Sequence, residues 1–80
     1  MHDVYLLESI AVQGERYVGS TSDLRHRLDE HNAGESIHTA KFKPWRLVTY
    51  VGFSDRTKAE AFERYLKSGS GHAFARKRLG

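Results

Sequence analysis

Two short runs of apolar and aromatic residues open the chain and predict a β-hairpin. The first run is Val4-Tyr5-Leu6-Leu7 and the second is Arg16-Tyr17-Val18-Gly19, both rich in residues that favour strands. Between them, Gln13-Gly14-Glu15 supplies a glycine for the turn. Gly19 closes the second run, where a residue without Cβ lets a ligand or another backbone come close. The predicted strands span about residues 3–11 and 15–20.

The segment after the hairpin has its apolar residues at helical spacing. Three residues fall on one face at i, i+4 and i+7: Leu24, Leu28 and His31. In the preceding Thr21-Ser22-Asp23 triplet, a hydroxyl can cap free N–H groups, and Asp23 favours the positive end of the helix dipole. The predicted helix runs to about Asn32, and Gly34 is its stop signal.

A third strand and a second helix follow a predicted loop over residues 33–44. Between Trp45 and Phe53, apolar residues occur on both faces of the strand, which indicates a central and largely covered position. The second helix starts near Asp55, where Thr57-x-x-Glu60 fits a capping box. Its buried stripe consists of Ala59, Phe62 and Leu66.

The remaining residues complete a small α+β fold. Ser68-Gly69-Ser70-Gly71 breaks the second helix, and residues 72–79 can form a short third one. The order β-β-α-β-α-α predicts a three-stranded antiparallel or mixed sheet flanked by helices. Eighty residues make one domain, residues 1–80. A chain of this size buries only about 60% of its unfolded surface, which leaves little room for a separate recognition domain.

Composition and charge narrow the possible settings and partners. The chain has no cysteine, which favours a reducing cytoplasm over secretion. It has no apolar stretch long enough to span a bilayer, and its first residues lack the pattern of a signal peptide, so we expect no membrane association. Residues 1–40 have a net charge of −4 and residues 41–80 a net charge of +7. A basic second half suits a polyanion-binding surface, although a solvated helical surface has the same composition.

Five side chains together supply the groups that a phosphodiester-cleaving site needs. They are two phenols, a guanidinium, an imidazole and a carboxylate that can bind a metal: Tyr5, Tyr17, Arg27, His31 and Glu63. Such a reaction needs an activated water, relief of charge on the phosphate, and a leaving oxygen that is protonated or bound to metal. Arg27 and His31 are spaced i and i+4, so both point to the same side of the first helix.

Each of these residues also has an ordinary structural explanation. Glu63 can pair with Lys67 one helical turn later, and Arg27 can pair with a neighbouring acidic side chain. His31 can interact with the negative end of the helix dipole. The tyrosines can pack on an amphipathic strand with their hydroxyls hydrogen-bonded at the rim.

The order and spacing of these residues resemble the GIY-YIG nuclease domain. The resemblance rests on Tyr5, the Tyr17-Val18-Gly19 triplet, Asp23-Leu24-x-x-Arg27-x-x-x-His31 and Glu63-x-x-Leu66-Lys67, and it covers nearly the whole chain. Members include the N-terminal nuclease domain of the bacterial excinuclease C subunit, some homing and restriction endonucleases, and small stand-alone proteins. Two features depart from the family: the glycine before the first tyrosine is replaced by Asp3-Val4, and no asparagine follows Glu63.

The resemblance implies a metal-dependent DNA endonuclease with a role in DNA repair or processing. Glu63 would hold Mg²⁺ or Mn²⁺, and Arg27 would neutralise charge on the scissile phosphate. One tyrosine, for which we favour Tyr5, would accept the proton of the attacking water, while the other would orient the water or the phosphate. His31 would orient Tyr5 or the phosphate, or share the proton relay. The expected substrate-binding residues are Gly19, Ser20, Lys67, Arg76, Lys77 and Arg78.

Two other functions agree with the same residues. The departures from the family pattern and the basic second half favour a nucleic-acid-binding module without catalysis, and a small protein–protein adaptor is the third hypothesis. For a nuclease, the small surface favours recognition of backbone shape, such as a flap or branch, over reading of bases. A homodimer or a protein partner could supply specificity, and RNA stays open as a substrate.

Overall fold

The computed structural model describes all residues, 1–80, and confirms the α+β fold with a three-stranded sheet. Its elements in chain order are β1 (His2–Ser9), β2 (Arg16–Thr21), α1 (Leu24–Ala33), α2 (Ile37–Ala40), β3 (Trp45–Phe53), α3 (Arg56–Leu66), α4 (Gly69–Phe74) and a π-helical segment (Ala75–Leu79). The longest helix has 11 residues, and no helix is long and apolar enough to cross a bilayer.

The sheet has the order β2-β1-β3, and both pairs of strands are antiparallel. The central strand is therefore β1, and the prediction that β3 is central was wrong. The run Val4–Leu7 is buried at every position, as expected for a strand covered on both faces. By contrast, β3 lies at the edge, and its Tyr50 is 56% exposed. Apolar residues on both faces of a strand indicate partial cover but do not determine the strand order.

Alternate residues of β1 anchor two small cores on opposite faces of the sheet. Tyr5 and Leu7 pack with Trp45 on one face, against the leucines of α1. Val4 packs with Ala59 and Leu66 on the other face, against α3 and the segment that follows it. Side chains alternate along a strand, so the position of a residue in β1 or β2 decides which face of the sheet it occupies. One face is covered by α1 and the other by α3.

Both long helices begin at an aspartate, which corrects two predictions about capping. Asp23 caps α1 by accepting a hydrogen bond from the His26 N–H at 3.1 Å, and the Thr21 hydroxyl instead accepts from the Asp23 N–H. Asp55 caps α3 through the Thr57 N–H at 2.8 Å. The predicted capping box does not form, since a carboxylate at the cap position competes for the same N–H groups.

Gly34 ends α1 in the left-handed conformation, as predicted, and the next residues contain a helix that was predicted as loop. This helix, α2, has only four residues, too few to show an apolar period. A contact with the first residue of β3 stabilises it, because the Trp45 indole N–H donates to the Thr39 carbonyl at 2.9 Å. Asn32 in turn fixes the Trp45 backbone through two hydrogen bonds. Trp45 is thus a core residue and not a stacking platform for a base.

The predicted break after α3 is shorter than expected. α4 already begins at Gly69, and the Ser68 side chain caps it by accepting from the Gly71 N–H at 3.2 Å. A Cβ at Gly71 would lie 1.7 Å from the Tyr65 carbonyl oxygen, so only glycine lets α4 fold back against the end of α3. The serine and glycines therefore start a new helix while ending the previous one.

Candidate active site

The two tyrosines lie on the same face of the β1–β2 hairpin, as predicted. Tyr5 is opposite Gly19 and Leu7 is opposite Tyr17, so the phenols are diagonal neighbours. Their ring centroids are 6.3 Å apart. This face is the one covered by α1, which carries Arg27 and His31, and the structure therefore brings four of the five predicted catalytic residues to one side of the sheet.

Gly19 allows this arrangement by leaving space for Tyr5. A Cβ at this position would lie 2.4 Å from the Tyr5 hydroxyl oxygen and 3.0 Å from the Tyr17 ring. The sequence predicted a close approach at Gly19 by a ligand or another backbone. The structure shows that the closest neighbour is Tyr5, whose ring lies across the glycine. Gly19 itself is buried, so its contribution is to shape the tyrosine pair.

His31 is fully buried and has both ring nitrogens occupied. Its Nε2 is 2.9 Å from the Tyr5 hydroxyl and its Nδ1 is 2.8 Å from the Thr39 hydroxyl. The imidazole also packs against the Tyr17 ring, with centroids 5.0 Å apart. Of the roles predicted for His31, the geometry favours orientation of Tyr5 over contact with a phosphate, because no ring nitrogen is free or exposed.

Thr39, the second partner of His31, was not predicted from the sequence. It lies eight residues after the histidine, in the segment predicted as loop, and is only 1% exposed. A buried hydroxyl in a loop has no periodicity that would reveal it. Only the docking of α2 against Trp45 brings this side chain to the imidazole.

Burial raises the pKa of the Tyr5 phenol above its ordinary value. The Arg27 guanidinium lies beside the hydroxyl and acts in the opposite direction, but it does not outweigh burial. The side chain of Arg27 is 38% exposed and also pairs with Glu30 at 3.2 Å. Tyr5 is therefore a neutral phenol that contacts a partly accessible cation, and Arg27 is placed where an incoming phosphate can reach it.

Glu63 reaches the site from the opposite side of the sheet. Its carboxylate accepts hydrogen bonds from the Ser20 hydroxyl at 2.7 Å and from the Lys67 ammonium at 2.9 Å. Burial opposes ionisation of Glu63, but the bonds from Lys67 and Ser20, together with the charges of Lys67 and His2, outweigh it and lower its pKa. Ser20 alternates with Gly19 along β2, so the predicted pair Gly19 and Ser20 serves two different faces.

Lys67 links the two sides around the free edge of β2. Its ammonium lies 5.8 Å from the centroid of the Tyr17 ring while it pairs with Glu63. A groove of about 380 Å³ continues from this point, and its polar and aromatic lining includes Arg16, Tyr17, Lys67, His72 and Arg76. Of its eleven lining residues, five are hydrophobic. Three of the four charged ones are cations, the fourth being Glu15, and the candidate tyrosine Tyr17 forms part of the wall.

The other two predicted binding residues lie outside this groove. Lys77 lines a neighbouring hollow together with Arg76, and Arg78 is an exposed residue that lines neither. The basic triplet lies within the π-helical segment, so its three side chains point in different directions. Arg16 and His72, which were not predicted as binding residues, line the groove instead.

The residues present fit a hard divalent cation held mainly by water and phosphate. Glu63 is the one predicted carboxylate ligand, and nowhere does the structure bring three or more His, Cys, Asp or Glu side chains together as a metal cage. Mg²⁺ is commonly bound in this way, through one or two carboxylates plus substrate phosphates. A cation at Glu63 would compete with the Lys67 ammonium for the same oxygen.

Buried His31 predicts a loss of stability in mild acid. Burial, and then the charge of Arg27, lowers its pKa in the folded protein, so the folded protein stays neutral where the unfolded chain takes up a proton. Stability therefore falls as the pH drops below about 6.5, the ordinary value for histidine. Between pH 7.5 and 5.5 we expect a loss of up to about 1 kcal/mol in urea unfolding.

A His31→Gln variant should lose this pH dependence, whereas a variant of the exposed His38, His38→Gln, should keep it. The pKa of Glu63 is lowered, so its stabilising contribution is fully present above its ordinary value of about 4.5 and is lost only as the pH falls below that value. The pH windows of His31 and Glu63 therefore do not overlap. An unchanged pH slope in His31→Gln would show that another group causes the acid sensitivity.

Comparison with known proteins points to the family that the sequence resembles. The family model described as the GIY-YIG catalytic domain matches residues 1–77. A structure-specific endonuclease subunit slx1 from Talaromyces marneffei is 38% identical over 65 residues, covering 74% of this chain and 17% of that protein. The corresponding SLX1 subunit from Candida dubliniensis is also 38% identical, covering 82% of this chain and 26% of that protein. The chain thus spans about a quarter or less of these curated relatives.

Two bacterial proteins are closer to this chain in length. A UPF0213 protein from Streptococcus pneumoniae is 33% identical, and the match covers 82% of this chain and 68% of that protein. The solution NMR structure of a UPF0213 protein from Bacillus halodurans is similar with a TM-score of 0.59 and 29% identity, covering 99% of this chain and 86% of that one. Both the arrangement of elements and the sequence therefore have counterparts among small bacterial proteins.

Proposed function

The chain belongs to the GIY-YIG family, and from this premise we propose that it is an endonuclease that hydrolyses DNA phosphodiester bonds with the help of a divalent metal ion. The observation that carries the proposal is the meeting of Tyr5, Tyr17, Arg27 and His31 on one face of the hairpin. Glu63 approaches the same hairpin edge from the other face, next to Lys67 and Tyr17. The fungal relatives, which are described as structure-specific endonuclease subunits, support the same activity.

Each residue has a chemical role in this proposal. Arg27 binds a non-bridging oxygen of the scissile phosphate and neutralises the charge that grows there. The phenols of Tyr5 and Tyr17 orient the attacking water, and one of them accepts its proton, Tyr17 as the phenolate or Tyr5 by passing its own proton to the His31 Nε2. Glu63 holds Mg²⁺ or Mn²⁺, which would supply a more acidic bound water and stabilise charge on the leaving oxygen. Comparison of Tyr5→Phe with Tyr17→Phe will show which phenol takes the proton.

The groove beside Tyr17 is the proposed path of the nucleic acid backbone. Lys67 and Arg76, which were expected to bind substrate, lie in it, while Arg16 adds a third cation and His72 a further polar side chain. Contacts of this kind recognise phosphates and not base edges, which supports selection of a DNA structure over a sequence. A homodimer or a separate protein partner would then supply further specificity, and an RNA backbone would fit the same cationic lining.

One observation favours a binding module without catalysis as the second candidate. Both oxygens of the Glu63 carboxylate are occupied by side chains of the protein itself, one by Ser20 and the other by Lys67. If that ion pair persists against a metal ion, the fold keeps its cationic groove but has no metal site. Such a protein would bind nucleic acid in a salt-dependent manner and cut nothing.

A cleavage assay separates the two functions. Purified protein is incubated at low salt with supercoiled plasmid and with flap, branched and linear oligonucleotides, in Mg²⁺, in Mn²⁺ and in EDTA. We expect cutting in either metal and none in EDTA, with branched or flap substrates preferred. Binding without cutting at any metal concentration would support the binding module, and neither binding nor cutting would contradict both.

A further inference from the structure

We propose that Thr39 is a positioning residue of this site: through His31 it fixes the direction of the Tyr5 O–H bond, so that the phenol oxygen turns its lone pairs toward the reacting groups. The proposal rests on the proposed function for its catalytic consequence. The hydrogen-bond geometry on which it depends can be tested without any cleavage. Thr39 touches no substrate in this scheme and acts only through the imidazole.

The direction of the hydrogen bonds that join Thr39, His31 and Tyr5 is inferred from their buried end, at Thr39. The Thr39 hydroxyl is a donor to the Ser36 carbonyl at 3.5 Å, which leaves its oxygen free to accept. We therefore assign the proton to the His31 Nδ1, 2.8 Å away, because it can then donate to the Thr39 oxygen while the Thr39 hydroxyl keeps its bond to Ser36. A neutral imidazole has one donor and one acceptor nitrogen, so Nε2 is the acceptor and receives the Tyr5 O–H at 2.9 Å.

The outer end of the hydrogen-bond chain, at Tyr5, favours the same direction. Arg27, the other polar group beside the Tyr5 hydroxyl, is a cation that can only donate hydrogen bonds. If His31 carried its proton on Nε2, it too would donate to Tyr5, and the phenol proton would face only donors. The Nδ1–H tautomer removes this conflict, because Tyr5 then donates to His31 and its lone pairs face Arg27 and the site.

Burial makes the hydroxyl of Thr39 irreplaceable by solvent. His31 is 0% exposed and Thr39 is 1% exposed, so no bulk water can take over the bond to Nδ1. The Thr39 carbonyl is held in turn by the Trp45 indole. The position of the hydroxyl is therefore fixed by the core, and its loss would leave a buried N–H without a partner.

The chemical consequence concerns the water that attacks the phosphate. A phenol whose own proton points to His31 can accept a hydrogen bond from that water, whereas a phenol turned the other way would donate to it and weaken its attack. A wrong imidazole tautomer is known to be costly in hydrolytic sites of the serine protease type, at about 10⁴-fold in turnover. For a group one step further from the chemistry, a loss of about 10- to 100-fold is expected.

The test combines a direct readout of the tautomer with kinetics. Two-bond ¹H–¹⁵N correlation spectra of protein labelled on histidine report which ring nitrogen carries the proton, and His31→Gln identifies the signal of His31. In the wild type we expect protonated Nδ1 and bare Nε2. Thr39→Val keeps the shape but removes the hydroxyl, and Thr39→Ser restores it. Thr57→Val, which changes an exposed threonine on α3, is the control.

Support requires that Thr39→Val shift His31 toward the Nε2–H tautomer and reduce cleavage by about 10- to 100-fold, with both effects reversed in Thr39→Ser. An Nε2–H tautomer in the wild type would overturn the proposal, even if no variant folds. So would a tautomer shift in Thr39→Val without loss of cleavage. If the wild type cuts nothing, the proposed function fails, and the tautomer still shows whether Thr39 positions His31 and Tyr5.

Discussion

Replacing Glu63 by glutamine is expected to reduce metal-dependent cleavage by about a thousandfold or more while the protein stays folded. The substitution keeps the side-chain shape and the hydrogen bond from Ser20 but removes the negative charge that would hold the ion. A metal ion contributes several kcal/mol of charge stabilisation in the transition state, and each 1.36 kcal/mol corresponds to a factor of ten. Initial rates on a branched oligonucleotide in Mg²⁺ measure the effect.

The effect of Glu63→Gln on stability should be small. The ion pair with Lys67 joins residues i and i+4 on the surface of α3, and such pairs contribute about 0.3–0.5 kcal/mol. The matched control is Glu60→Gln, one turn earlier on the same helix, where the carboxylate pairs with Arg56 away from the site. Wild-type rates in Glu63→Gln, with Glu60→Gln unchanged, would contradict the assignment of Glu63 as the metal ligand.

Replacing Arg27 by glutamine is expected to reduce cleavage by about 10²- to 10³-fold, the cost of removing one preorganised donor from a site where charge develops. The guanidinium is the cation nearest to the Tyr5 hydroxyl and is still 38% exposed, so it can meet both the phenol and a phosphate. Glutamine retains a donor but loses the charge and the bidentate geometry. Because the interaction strengthens in the transition state, turnover should fall more than binding does.

Arg25→Gln is the control for this variant, because Arg25 is an exposed residue on the same helix, two positions earlier. It should change the salt dependence of binding slightly, or not at all, and leave turnover intact. Equal effects of the two substitutions would indicate that Arg27 contributes only general positive charge. The measurement is single-turnover cleavage with the protein in excess, combined with binding in EDTA at several salt concentrations.

Local signals account for the parts of the fold that could be predicted from the sequence. The hairpin, the stop at Gly34 and the apolar stripe of α3 each depend on residues close together in the chain. The place of β3 at the edge of the sheet depends on pairing with β1, whose residues lie 36 to 51 positions earlier in the chain, and no local pattern encodes that pairing. The four-residue helix α2 depends equally on a distant contact, the indole of Trp45.

The candidate site shows the same division. Strand alternation predicts that Tyr5 and Tyr17 share a face of the hairpin, and helical spacing predicts that Arg27 and His31 share a side of α1. These four residues could therefore be grouped from the sequence. Thr39 could not, because it has no regular spacing to the other members. The position of Lys67 beside Tyr17 also needed the structure, because the side chain passes around the edge of the sheet from the opposite helix layer. The catalytic roles themselves stay predictions until the variants are measured.

The central position of β1 has a consequence for how this protein and its relatives can diverge. Tyr5 and His31 are parts of the core, and a substitution there would destabilise the protein as well as impair the site. Glu63 and Arg27 are partly exposed and can be lost with little effect on folding. In a lineage that no longer needs to cut DNA, the two partly exposed residues should drift first, while the buried tyrosine and histidine persist. A descendant that retains only the buried pair is therefore better regarded as a relic of a nuclease than as an active one.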